Sequence, residues 1–433
     1  MVRAAMRLNL KAWWWNLRKH NYLAVKFAVS IFFLGLAFRL LFSRSDDIPS
    51  VSHSPFLDKT LSPESPAYVG GPENGDENKI FQSEKCDLFT GDWIRNPAGP
   101  VYTNESCHLI EHPQNCMTNG RPDTQYLYWK WKPRDCELPQ FNAKRFLELM
   151  RNKAWALIGD SISRNHVQSL LCILSKVERA VLVYHDEEYK SRRWHFPSYN
   201  FSVSVIWSPF LAKAAIFEDQ NGVSTSEVKL HLDMLDTSWT SQYHNWDYIV
   251  FSSGKWFIKA AIYYEKHAVL GCHYCPGKNL TDIGFAIAYR KVLENVFSFI
   301  LRSNHKGMIF YRTTTPSHFE NGEWFSGGTC KRKEPVKEGV LELNVLNKIL
   351  REIELDEFKK ASVNASGKGV NFKLLDVTQL SLLRPDGHPG PYRYFHPFAK
   401  EMKEKIVNDC LHWCLPGPID SWNDLLMQMV LDG

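Results

Sequence analysis

From residue 141 onward the apolar positions alternate between two spacings. Stretches with a period near 3.6 predict helices over Asn142–Arg151, Ser163–Leu174, Phe285–Leu301 and Val340–Leu355. Short, nearly continuous apolar runs at Ala154–Ile158, Tyr248–Ser252, Met308–Arg312 and Lys373–Val377 predict buried strands. Strands that alternate with helices imply an α/β fold with a parallel sheet. Residues 194–235 are more β-rich, in WHFPSYNFSVSVIW and VKLHLDML, and predict a local antiparallel addition. No internal repeat is visible.

Upstream the pattern changes twice. Residues 85–140 carry four cysteines, many aromatics and turn signals without a sustained helical period, which predicts a loop-rich, disulfide-stapled subdomain ahead of a larger domain at 141–433. Residues 43–84 are rich in Ser, Pro, Glu, Asp and Gly and cannot repay the entropy of ordering, so they read as a disordered stem. Before them, LAVKFAVSIFFLGLAFRLLF at 23–42 has the roughly 20 residues that cross a bilayer, with Lys26 and Arg39 near its ends where they can snorkel. Basic residues before Tyr22, interfacial Trp13 to Trp15 and no clear small-residue cleavage site favour a single transmembrane signal anchor over a cleaved peptide. Residues 1–22 are then a cytosolic tail, and everything beyond the span is lumenal.

Composition agrees. At 433 residues and 44% hydrophobic, the chain is not disordered as a whole. The formal charge is +5, but eight basic residues precede the first acid, Asp46, and without them the rest carries about −3. A nucleic-acid footprint is therefore absent from the globular part. All ten cysteines follow the apolar span, which points to an oxidising compartment with the pairing left open. Acceptor sequons at Asn104, Asn200, Asn279 and Asn364 lie on the same side. Cys272-x-x-Cys275 with His273 alongside begins like a zinc site, yet no second ligand pair follows at suitable spacing, and no metal is assigned.

The candidate chemistry starts at the first core strand, where Lys153-Ala-Trp-Ala-Leu-Ile runs into Gly159-Asp160-Ser161. A glycine there permits a tight turn, so Ser161 falls at a strand end beside a helix N-terminus, whose free N–H groups can receive an oxyanion. The simpler reading is a helix cap, since Ser and Asp are preferred capping residues. A serine hydroxyl needs a base, usually a histidine held by a carboxylate. Asp409-x-x-His412 supplies that pair, and cysteines on either side, Cys410 and Cys414, suggest that disulfides pin the loop. His388, in Arg384-Pro-Asp-Gly-His-Pro-Gly390, is the rival base, although its Gly and Pro setting reads as a turn.

Together these residues resemble the plant trichome birefringence-like family of polysaccharide O-acetyltransferases. The likeness runs from about Cys86 to Asp432 and includes Lys85-Cys-Asp-Leu-Phe-Thr-Gly-Asp-Trp93, Gly120-Arg-Pro-Asp-x-x-Tyr126, Gly271-Cys-His-Tyr-Cys275, Thr315-Pro-x-His-Phe-Glu-Asn-Gly-Glu-Trp324 and Asp409-Cys-Leu-His-Trp-Cys-Leu-Pro-Gly-Pro. It implies an SGNH/GDSL-esterase-like α/β core, a Rossmann-like parallel sheet with helices on both faces, with Ser161, His412 and Asp409 as catalytic triad. Ser161 would take an acetyl group from acetyl-CoA or another activated carrier and pass it to a sugar hydroxyl, with no bound cofactor. Gly159, Asp160, Arg164, Asn165, Gly254 and Trp256 are the candidates for oxyanion and substrate contacts. Where the family pattern has Gly-His-Trp, this chain has Gly254-Lys255-Trp256. Trp129, Trp131, Trp194, Trp207, Trp256 and Trp324 are candidate sugar platforms, though most tryptophans are core residues. Resemblance also implies a Golgi membrane protein of type II orientation acting on a hemicellulose. The preferred acceptor is mannosyl residues of glucomannan, followed by the side-chain galactose of xyloglucan. A carbohydrate acetylesterase and a non-catalytic glycan-binding protein are the alternatives.

Overall fold

A computed structural model describes residues 86–218, 224–399 and 406–433. The cytosolic tail, the membrane span at 23–42 and the stem expected before residue 85 lie outside the described residues; among those described, no helix is long and apolar enough to cross a membrane. In chain order the elements are β1 (Gly91–Arg95), β2 (Trp129–Pro133), α1 (Ala143–Leu149), β3 (Ala154–Gly159), α2 (Ser161–Leu174), β4 (Val181–His185), β5 (Arg192–Phe196) and β6 (Phe201–Trp207). There follow β7 (Ala212–Ala215), β8 (Val228–Leu235), β9 (Tyr248–Phe251), β10 (Ala261–Glu265), β11 (Ala268–His273), α3 (Phe285–Arg302), β12 (Met308–Arg312), α4 (Val345–Ser366), β13 (Asn371–Leu375) and α5 (Asp420–Leu431), besides single turns of helix.

Side chains of a strand point alternately to opposite faces, and β3 is apolar at every position, so it must be covered on both. Trp155 and Leu157 pack into one core with α1, α2 and α5, while Ala156 and Ile158 pack into a second with α3 and α4. The seven-stranded sheet between these layers has the order β13-β12-β9-β3-β6-β5-β4. Its first five members are parallel, whereas β5 and β4 add an antiparallel edge. The antiparallel pairing expected within residues 194–235 is present between β5 and β6 and between β7 and β8, with two corrections. Phe201–Trp207 is an interior strand parallel to β3, because Val203 and Val205 face a helix layer rather than water. β7 and β8 leave the main sheet and join β10 and β11 in a separate four-stranded one.

Helix boundaries follow the caps. Asn142, Asp160 and Asn344 each accept a backbone N–H from the first turn of α1, α2 and α4. Asn344 therefore starts α4 later than the expected residue 340, and buried Ala361 and Ala365 carry its apolar stripe beyond Leu355. The last core strand begins at Asn371, two residues earlier than expected, and its exit residue Asp376 is bound by Arg351.

Cysteine pairing ties the N-terminal segment to the rest of the molecule. Cys86–Cys136 closes the β1–β2 region on itself, but Cys107–Cys172 reaches α2 and Cys116–Cys414 reaches the C-terminal loop. Cys272 and Cys275 are bonded to each other, and Cys330–Cys410 completes the set.

Candidate active site

In the parallel part of the sheet, β3 is flanked by β6, next in sequence, and by β9, the one after; chain connections leave β3 in opposite directions. That reversal opens a crevice at the carboxyl ends of β3 and β9, where ligands of open α/β sheets bind. Gly159, Asp160 and Ser161 leave β3 there, and Ser252, Ser253 and Gly254 leave β9 beside them. The close approach explains the glycine: a Cβ on Gly159 would lie 2.4 Å from the Ser252 carbonyl oxygen and 2.6 Å from Ser163 Oγ. Gly254 has a φ of +138°, and a Cβ there would lie 2.3 Å from Thr314 Oγ1.

Capping of α2 falls to Asp160, whose Oδ1 accepts the Ile162 N–H at 2.9 Å. Ser161 is consequently released from capping and opens the helix as its first residue, half-buried. Its hydroxyl makes no hydrogen bond within the protein among the described residues. Placed at a helix N-terminus, it sits where backbone N–H groups and the positive end of the helix dipole favour developing negative charge.

Asp409 and His412 meet as the spacing expected: His412 Nδ1 lies 2.8 Å from Asp409 Oδ2, and Asp409 Oδ1 also accepts the backbone N–H groups of Leu411 and His412. Burial would raise the Asp409 carboxyl. Its contacts with His412 and the charge of Arg393 outweigh that and hold it well below the usual carboxylate range. A carboxylate on Nδ1 fixes the tautomer and leaves Nε2 free to act as base. The His412 side chain keeps 22% of its surface exposed, as an approaching substrate requires.

Ser161 and His412 share no hydrogen bond; Asn165 brings their two segments together. One helical turn after Ser161, and so on the same face, Asn165 accepts the Trp413 N–H at 2.7 Å on Oδ1 and donates Nδ2–H to the Trp413 carbonyl at 3.2 Å. The clamped peptide is the one next to His412. Asn165, expected among the oxyanion donors, thus has its amide oxygen and one Nδ2–H engaged by Trp413.

Arg164, half-buried on the same turn, has its guanidinium 5.0 Å from the Trp207 ring centroid. Burial lowers its guanidinium, and among the described residues its Nε has no hydrogen-bond partner. Trp207 ends β6 directly opposite Gly159 and meets Trp256 edge-to-face at 5.4 Å, making an aromatic corner beside the crevice. Of the other tryptophans, Trp131 and Trp194 are buried core residues, the Trp129 ring is covered by Arg95, and Trp324 is exposed on a turn. Asn200, Asn279 and Asn364 are exposed, and Asn104 is half-buried against Thr118.

Behind Gly254 stands a group that sequence reading did not find. Glu354 is fully buried, accepts the Thr314 N–H and Tyr289 O–H, and is pushed up to about 7 by burial, against those hydrogen bonds. A signal was present: Leu350, Ile353, Glu354, Glu357 and Ala361 share one face of α4, so two acids interrupt an apolar stripe. Lys255 bonds Asn347 on the same helix, and burial pulls its ammonium down to about 8 against Glu354, Asp160 and Glu323. At the end of β12, Arg312 is 3% exposed and bonds Ser252 Oγ; burial lowers it to about 10, opposed by Asp160 and Glu354.

Comparison with known proteins matches residues 138–429 to the GDSL/SGNH-like acyl-esterase family found in Pmr5 and Cas1p, and residues 84–137 to the PMR5 N-terminal domain. Protein trichome birefringence-like 23 from Arabidopsis thaliana is 53% identical over 96% of this chain and 97% of its own length. Protein trichome birefringence-like 24 from the same plant is 52% identical over 96% and 98%. Xyloglucan O-acetyltransferase 1 from Populus trichocarpa is 44% identical over 81% and 82%. With a family model across most of its length and relatives of this identity, the chain belongs to the trichome birefringence-like branch of the GDSL/SGNH-like acyl-esterase family found in Pmr5 and Cas1p.

Proposed function

We propose that the chain is a polysaccharide O-acetyltransferase that works through an acetyl-serine intermediate. The observation that carries this reading is the Asn165 clamp, which holds the loop of the Asp409–His412 pair against the helix that Ser161 opens. His412 Nε2 takes the Ser161 proton as Oγ attacks the acetyl carbonyl. The resulting oxyanion is met by N–H groups of the Ser161 turn and Gly254, with Arg164 at the rim; one such donor is worth about 3 kcal/mol. Collapse of the tetrahedral adduct breaks the bond to the donor's leaving group, which recovers the proton from His412. A sugar hydroxyl then gives its proton to His412, attacks the acetyl-serine and leaves with the acetyl group, and Ser161 is reprotonated. An acetyl-CoA-like carrier supplies the acetyl group in this scheme, and no cofactor is consumed.

For the acceptor, the Trp207–Trp256 corner offers flat rings to a sugar face, and Arg164 offers donors to hydroxyls. Relatives whose names carry xyloglucan are 44% identical, whereas trichome birefringence-like relatives at 50–53% carry no acceptor in their names. Those xyloglucan names support xyloglucan galactose as an acceptor, while mannosyl residues of glucomannan stay first in this proposal on the resemblance of Arg192–Ser198 and Ile206–Leu211 to mannan-acting members. The apolar segment at 23–42 and the cysteines beyond it support a membrane-anchored protein with its catalytic domain on the oxidising side, and the Golgi setting of this proposal rests on the family resemblance. The test is to incubate the full chain with a labelled acetyl donor and deacetylated glucomannan or xyloglucan oligosaccharides. Labelled glycan is expected, more on mannan. Free acetate alone would make the protein an esterase, and neither product would leave it a binding protein.

A further inference from the structure

His388, the rival base, is buried and stacks on Trp413 with ring centroids 4.3 Å apart, so it cannot meet substrate. It ends a chain of contacts instead. His388 Nδ1 lies 2.7 Å from the His412 carbonyl oxygen, its Nε2 lies 2.7 Å from His318 Nδ1, and His318 Nε2 lies 3.0 Å from the Leu382 carbonyl oxygen. A carbonyl only accepts, so each outer gap needs an N–H; the central gap needs one more. Three protons are therefore required, while two neutral imidazoles bring two. With two, one gap always sets lone pair against lone pair: at Leu382, between the rings, or at His412.

We propose that His318 and His388 are positioning residues for His412, a proton-deficient imidazole pair that grips the His412 carbonyl when His388 carries its proton on Nδ1, and always once a third proton joins the pair. The inference rests on His412 being the base of the proposed transferase. Around the pair, Asp386 and Asp409 favour the added proton, whereas Lys255 and Arg332 beside His318 and Arg121 beside His388 oppose it. Burial dominates both rings, taking His318 down to about 4 and His388 well below its ordinary value, so the pair is one proton short at neutral pH. Arg121 adds a mechanical anchor, donating to the His388 and Asp386 carbonyls from the N-terminal segment. The Arg384–Gly390 turn is thereby fixed from outside, and what remains adjustable at His412 is the proton count.

Two readouts test this on the full chain. The first is imidazole nitrogen NMR of histidine-labelled protein from pH 7.5 down to about 4, where imidazolium can form on a strongly depressed pair. One proton is expected to enter the two rings in a single shared step, well below the ordinary histidine range. Independent titration of each ring near 6.5, the ordinary value, would overturn the pair. The second is kinetic. His388→Leu removes the grip and is expected to cost about 100-fold in kcat with KM within about threefold, as misplacement of a catalytic group does. His388→Asn keeps an amide donor at the Nδ1 position and is expected within about fivefold of wild type, since the donor to the His412 carbonyl survives. His318→Gln brings two N–H groups at any pH and is expected to lock His388 on its Nδ1–H form with kcat retained. An active His388→Leu, or a His388→Asn as poor as His388→Leu with both folded, would refute the positioning role. A wild type inactive toward every acceptor would remove the transferase reading, and the nitrogen titration would still decide whether the pair exists.

Discussion

The two arms of the site are built in opposite ways. Ser161 stands on an element its neighbours specify: an apolar strand, a glycine with no room for a Cβ, an aspartate cap and a fourteen-residue helix follow one another in sequence. His412 stands on a loop without regular secondary structure. That loop takes its shape from partners at positions 116, 165, 318, 330, 387, 388 and 390, through two disulfides, the Gly390–Asp409 bridge and side-chain contacts. A nucleophile can ride on local structure because a helix N-terminus is already an oxyanion site. A base approaching from elsewhere has no such frame, so the fold supplies one by cross-linking.

The most damaging way to break the contrast is to leave the loop in place and spoil its proton. Asp409→Asn should preserve the backbone contacts while removing the charge that fixes the His412 tautomer, and kcat should fall by about 10³–10⁴, as in other triads. An acetyl-transfer assay with Ser161→Ala as the inactive reference checks it. An Asp409→Asn enzyme within tenfold of wild type would mean that the carboxylate does not orient the base.

Next comes the covalent frame. Replacing both Cys116 and Cys414 with serine should cost about 2–5 kcal/mol of stability, the usual range for a native disulfide. Replacing Cys86 and Cys136, which cross-link only the N-terminal segment, should lower the melting temperature while leaving kcat per folded molecule unchanged. Equal kinetic damage from both pairs would show that the base loop is not specially dependent on its bridge. Asn165→Ala strips two hydrogen bonds from the buried Trp413 peptide and should lower kcat about 10–100-fold, because each unsatisfied group costs about 1–3 kcal/mol. Its helix should stay intact, as Asp160 still caps it.

Acid should loosen the molecule through its histidines. Burial lowers His166, His305, His318 and His388. Below about pH 6.5 the unfolded chain takes up protons that the folded chain refuses, so each such ring removes up to about 1.4 kcal/mol per pH unit. Asp409, held low in the folded state, acts in the same direction at more acidic pH. Glu354 at about 7 and Asp424 at about 7 are raised by burial, so their contribution is full in acid and is lost as pH rises through the folded values. Urea unfolding between pH 5 and 8 should therefore show maximal stability inside that window, and His166→Leu should flatten the acid limb.

The same contrast decides what could be read in advance. β3, β9 and β12 and the start of α2 were legible within a residue or two, because buried parallel strands announce themselves as apolar runs and a cap is a local signal. Asp409 and His412 were legible as a pair, since three residues separate them. The Asn165 clamp on Trp413 and the contact of His388, ranked second to His412 as base, with the His412 carbonyl were not legible, because they span 248 and 24 residues and spacing does not encode them. The place of β6 beside β3 was missed for a related reason: its pairing with a strand some fifty residues upstream is a contact that the local β-rich pattern of FSVSVIW does not encode.

Lys255 allows the finest test, because it stands on the β9 side of the crevice, where neither local pattern nor cross-link dictates an ammonium. Its amine bonds Asn347, and burial holds it at about 8. A lysine depressed in the folded state binds its proton less readily than in the unfolded chain, so between about pH 8 and 10.5 stability from this group rises with pH. At pH 7 the charge is present and partly desolvated. Lys255→Met should then raise stability at pH 7 by about 1 kcal/mol, the scale on which apolar replacement of a buried charge is tolerated, and should help less at pH 9. If acetyl transfer also falls in Lys255→Met while Ser161 still acquires label from the donor, the ammonium serves the acceptor step. Unchanged transfer together with a more stable protein would assign Lys255 to the packing between Gly254 and α4 alone.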